Sequence, residues 1–138
     1  MSLDVHEPNA GYRLGRLFAI LESAQYAALG RVNATIRDKF FSSASANPAR
    51  VFPMLLRGVQ DHLGKLRSKG SGGLAHWFDE QIAEIMSGLL SSRPFPNTLR
   101  LDDQGRFAVG YYHQRNTRKI KEELKDEDEV SATEDQAA

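Results

Sequence analysis

The chain has 138 residues and no cysteine, and its 18 Lys and Arg balance 18 Asp and Glu. A chain of this length builds a core without a metal or disulfide staple, and the missing cysteine excludes disulfides, thiolate metal sites and a cysteine nucleophile, which fits a reducing cytoplasm. The charge balance conceals a division. Residues 1–121 hold 17 basic against 10 acidic side chains, a net of +7, and residues 122–138 hold Lys125 against eight acids, a net of −7. No apolar run approaches the roughly 18 residues of a membrane span, and the opening Met1 to His6 lacks the basic and apolar regions of a secretory signal.

Helical periodicity runs through most of the chain. A first helix is expected from about Ala10 to Leu29, with Asn9 as N-cap, a stripe of Leu14, Leu17, Phe18, Leu21, Ala24 and Ala28, and Gly30 at the C-terminal stop. A second is expected from Ala34 to about Ala44, capped by Asn33, with Ile36, Phe40 and Ala44 on one face. A third should start at Pro48, where the missing N–H costs nothing, and end near Ser68, with a kink or restart at Pro53. Its apolar arc is Phe52, Leu55, Leu56, Val59, Leu63 and Leu66. Arg50, Arg57 and Lys65 fall opposite, with Asp61 and Ser68.

Lys69 to Gly73 reads as a flexible turn. A fourth helix follows from about Leu74 to Leu90, buried through Leu74, Phe78, Ile82, Ile85 and Leu89, with Asp79, Glu80 and Glu84 outward. Thr98 to Leu101 reads as an extended connector, and Asp102 or Asp103 can cap a last helix to about Lys119. From Lys121 the composition turns to acids, Ser, Thr, Gln and Ala, too polar to order itself. The expected fold is all-α: a compact helical bundle of about five helices over residues 1–120, then a disordered acidic C-terminal tail over residues 121–138.

Catalytic motifs are missing from the pattern. Gly70 to Gly73 has no following Lys-Ser/Thr pair, so it is not a phosphate loop. His76 and Glu80 stand four apart, but no third ligand has matching spacing, and a solvated pair accounts for them. The reading is therefore not an enzyme, with no cofactor, metal or small-molecule substrate. The basic set is distributed instead. Arg13, Arg16, Arg31, Arg37, Lys39, Arg50, Arg57, Lys65, Arg67 and Lys69 are opposed within residues 11–72 only by Glu22, Asp38 and Asp61. If their helices lie side by side they form a track for a polyphosphate. Tyr12, Tyr26, Tyr111 and Tyr112 can stack bases or simply pack. A well-solvated surface accounts equally for the charges, and Arg37 equally suits an ion pair near Asp38 or with Glu22.

Four runs in order carry a resemblance. They are Gly11 to Ala19 (GYRLGRLFA), Val32 to Phe41 (VNATIRDKFF), Ser43 to Pro53 (SASANPARVFP) and Phe107 to Arg115 (FAVGYYHQR). Over roughly residues 9–119 the chain resembles the C-terminal region of the large subunit of the type I-C CRISPR surveillance complex, Cascade. That subunit is much longer, and its reading frame is translated again from an internal start as a small subunit, the role this chain is expected to fill. The resemblance implies a cytoplasmic, non-enzymatic helical bundle without membrane contact. Its implied partners are the crRNA-bound backbone subunits, the large subunit, further copies of itself and the target DNA. There it would help hold the R-loop open by sequence-independent contacts to the displaced non-target strand. A purely structural adaptor without DNA contact is the alternative. The Tyr111 to Arg115 run is expected to pack and hydrogen-bond within the bundle or against a neighbouring subunit.

Overall fold

The computed structural model describes residues 2–33 and 35–117. The expected acidic tail, and the domain boundary drawn before it, lie outside the described residues. Within them the chain folds as five helices and no strand: α1 (Ala10–Leu29), α2 (Ile36–Ala46), α3 (Pro48–Ser68), α4 (Gly72–Ser87) and α5 (residues 101–117). The all-α bundle expected from periodicity is the observed fold.

Helix α1 starts and stops as its sequence dictates. The Asn9 side chain accepts from the Tyr12 N–H at 3.0 Å, which satisfies a first-turn donor. Gly30 follows the last residue with φ 70°, a conformation that favours a residue without Cβ, and its N–H returns to the Tyr26 carbonyl. The single apolar stripe understates its burial. Every residue from Gly11 to Leu21 is buried, so α1 is the central helix and not a surface one. It packs against α2, α3 and α4.

Its fourth neighbour, α5, comes closer than side chains usually allow. A Cβ on Gly15 would lie 2.0 Å from the Phe107 carbonyl oxygen, one on Gly11 2.3 Å from that of Asp103, and one on Gly110 2.1 Å from that of Tyr12. Gly11 and Gly15 are four residues apart and share one face of α1, which becomes a smooth strip for the α5 backbone. Around this contact the aromatic rings collect: Phe18 meets Phe41, Phe52, Phe107 and Tyr111 at centroid distances from 5.7 to 6.4 Å. Such tilted and edge-on pairs stabilise beyond the area they bury.

Helix α2 begins later than expected. Thr35, not Asn33, is its N-cap, and a reciprocal capping box decides the register. Thr35 Oγ1 accepts from the Asp38 N–H at 3.2 Å, and Asp38 Oδ2 accepts from the Thr35 N–H at 3.1 Å. Gln25 Oε1 ties this start to α1 by accepting from the Ile36 N–H at 3.3 Å. Thr35→Ala is expected to cost about 1 kcal/mol, read as a lower urea midpoint at unchanged slope. An unchanged midpoint would mean that packing alone sets the helix start.

Helix α3 has the expected bounds and runs uninterrupted through Pro53, so no restart occurs there. Pro53 lies in the second turn and removes only one backbone bond. Helix α4 starts at Gly72 and ends at Ser87, earlier at both ends than expected. The connector to α5 is pinned across the α2–α3 elbow: the Ala49 N–H donates to the Pro96 carbonyl at 3.1 Å, and the Leu99 N–H to that of Ala46 at 3.1 Å. Phe95 stacks on Phe52 at 5.3 Å between ring centroids. Helix α5 starts at Leu101, ahead of the expected Asp cap. Asp103 Oδ1 instead accepts from the Asn9 side-chain amide at 3.1 Å.

Candidate nucleic-acid interface

The basic side of α3 is exposed. Phe52, Leu55, Val59, Leu63 and Leu66 point into the core, which leaves Arg50, Arg57 and Lys65 on the outer face. From Arg50 to Lys65 the helix rises about 22 Å. Among the described residues no carboxylate comes within ion-pair distance of these three side chains, although Asp61 shares their face. His62 adds no charge at neutral pH, because burial and then the neighbouring Lys65 hold it below the usual imidazole value against the pull of Asp61.

Arg13 and Arg16 are not on the surface. Arg16 is fully buried; its Nε donates to Gln114 Oε1 at 3.0 Å and its Nη2 to Glu84 Oε2 at 2.9 Å. Arg13, 9% exposed, donates to the Ile85 and Val5 carbonyls at 3.3 Å each, with Glu84 at 3.9 Å. The expected track therefore loses both. The reason is the enclosure of α1 from Gly11 to Leu21, which leaves no outer side there on which to display a cation. Glu84 faces outward as expected, its side chain 43% exposed, and is at the same time their shared counterion.

The remaining predicted residues separate into two groups. Lys39 is exposed on α2. Arg67 is exposed on α3 but bridges to Asp79 of α4 at 2.8 Å. Lys69 is exposed and donates to the Ala28 carbonyl at 2.7 Å, capping the end of α1. Arg31 and Arg37 line a groove of about 710 Å³ between the C-terminal turns of α1 and the start of α2, and α5 supplies Arg115 to the same groove.

Arg37 forms neither of the ion pairs open to it in the sequence. Its guanidinium lies 5.7 Å from the Tyr111 ring centroid and 5.6 Å from that of Tyr112, and donates to the Tyr112 hydroxyl at 2.6 Å. Arg115 lies 5.9 Å from the Tyr111 centroid. Tyr111 is fully buried and its hydroxyl donates to Glu22 Oε1 at 2.6 Å. Burial and this bond push its ionisation well above the usual phenol range, so it stays a neutral donor. The Tyr111 to Arg115 run thus packs within the bundle: His113 Nδ1 meets the Tyr12 hydroxyl at 2.8 Å, and Gln114 holds Arg16. The sequence reading missed Arg115. Its signal was the i, i+4 spacing from Tyr111, which places a cation over the ring one turn back.

The surface thus offers cations in two places, the outer face of α3 and the groove where α1, α2 and α5 meet. His76 and Glu80 pair at 2.9 Å on the exposed side of α4, and among the described residues no three His, Cys, Asp or Glu side chains group to hold a metal ion. Nor is any helix among them long and apolar enough to cross a membrane. No curated protein matches the chain. The family model described as CRISPR-associated protein (Cas_Csd1) matches residues 1–119, which take in all five helices, and the chain belongs to that CRISPR-associated family.

Proposed function

We propose that this chain serves a CRISPR effector complex as a non-catalytic small subunit of the type I-C kind, and that it stabilises the R-loop by holding the displaced non-target strand without reading its sequence. The carrying observation is the row of Arg50, Arg57 and Lys65 on the outer face of α3, without ion-pair partners among the described residues. A phosphate backbone is bound by a line of cations on a stiff support, and such contacts carry no base information. Lys39 is exposed on α2, and Arg31 and Arg37 line the separate groove. Family membership supports a role in a CRISPR system. The crRNA-bound subunits and the large subunit are the partners this reading requires.

The triple change Arg50→Glu, Arg57→Glu and Lys65→Glu, introduced into the assembled complex, is expected to cut R-loop yield at least tenfold while the helical circular dichroism stays unchanged. Removing three phosphate contacts should also lower the log–log salt slope of single-strand binding by about 2. Full R-loop yield would remove the α3 face from the interface. Photo-crosslinks from a labelled non-target strand that appear only on other subunits would favour the structural adaptor instead.

A further inference from the structure

We propose that the groove joining α1, α2 and α5 binds one nucleotide unit of a single strand: a phosphate together with an unstacked base. The inference rests on the reading above for the identity of the polymer and not for the location of the site. Its observations are independent of the α3 face.

The groove's volume, about 710 Å³, lies within the range of built small-molecule sites. Three arginines line it from three separate segments: Arg31 just past α1, Arg37 in the first turn of α2 and Arg115 on α5. Helical periodicity does not produce such convergence; only the packing of the three segments does. Guanidinium forks match phosphate oxygens in pairs, and Arg37 is already oriented by the two tyrosine rings it lies over, so less freedom is lost on binding.

Two carboxylates also line the groove, and both are engaged in the fold. Asp38 accepts from the Thr35 N–H in the capping box, and Glu22 accepts from the Tyr111 hydroxyl. The three arginines still outnumber them. A base has a place as well. Tyr26 lines the groove and is 65% exposed, on a helix whose residues from Gly11 to Leu21 are all buried. An exposed ring beside converging cations is the arrangement that stacks a base over a held phosphate without choosing among bases.

The test is a nuclear magnetic resonance titration of the full chain with thymidine 5′-monophosphate, with thymidine and inorganic phosphate as separate probes. The nucleotide is expected to shift the amides around Gly30 to Asp38 saturably. Thymidine and inorganic phosphate should each bind at least fivefold more weakly, because each supplies half of the contact. Arg31→Gln with Arg115→Gln, both exposed positions, should weaken the nucleotide at least fivefold, and so should Tyr26→Ala, whereas Tyr26→Trp should restore it. The α3 triple variant should bind the nucleotide normally, which separates failure of this site from failure of the α3 surface. Absence of saturable shifts, equal binding of inorganic phosphate, or indifference to the arginine changes would overturn the proposal. Binding that appears only after the eight tail carboxylates are changed to amides would also overturn it, by making the chain's own tail the occupant.

Discussion

Gly15→Ala is expected to destabilise the protein by about 3 kcal/mol, near the upper end of what overpacking costs. A methyl group there would stand 2.0 Å from the Phe107 carbonyl oxygen and 2.9 Å from the Tyr111 nitrogen, both backbone atoms that cannot rotate away. Relief requires α1 and α5 to separate, which loosens the contacts of Phe18 with Phe107 and Tyr111. For a domain of this size the melting temperature should fall by roughly 10 °C. Gly64→Ala is the control. Its Cβ meets nothing within 4 Å on α3, and removing a helical glycine there should stabilise by roughly 0.5 kcal/mol. If both variants melt alike, the close approach of α1 and α5 is wrong.

The second large effect centres on Glu84. Glu84→Ala leaves the buried Arg16 with Gln114 as its remaining side-chain partner and removes the counterion of Arg13 as well. The Glu84 side chain is itself 43% exposed, so solvent screens the pair, but the surviving Arg16 charge stays desolvated and the loss is expected to be about 2 kcal/mol. The expected readout is a lower denaturant midpoint at unchanged slope. Adding Arg16→Met to Glu84→Ala should recover a large part of the loss, since an apolar side chain of similar length needs no counterion. A double variant less stable than Glu84→Ala alone would mean that Arg16 contributes through its bond to Gln114 more than it costs by burial.

Much of the bundle was legible because its signals are local. The spacing of Leu14, Leu17, Phe18 and Leu21, the cap at Asn9 and the stop at Gly30 mark α1 to the residue. Pro48 and the apolar arc of Phe52 to Leu66 mark α3 equally well. The start of α2 was displaced because two plausible caps compete there, and the one with a reciprocal partner three residues on prevailed. The outer face of α3 was also readable, since one strongly amphipathic helix fixes its own exposed side wherever it packs.

The fates of Arg13 and Arg16 were not readable in this way. A cation on a helix reads as exposed, and burial becomes tolerable only when a carboxylate from a distant helix arrives beside it; Glu84 lies 68 positions from Arg16. The groove is hidden for the same reason, because Arg31, Arg37 and Arg115 carry no common period.

By itself, the sequence determined an all-α architecture, the order and most bounds of its helices, and the positive face of α3, because caps, breakers and hydrophobic period act within a few residues. Tertiary packing alone decided that α1 is enclosed, that two of its arginines serve the interior, and that three others converge on one groove. Those outcomes depend on contacts between helices far apart in the chain, and the energy of a charge is set by the groups that finally surround it.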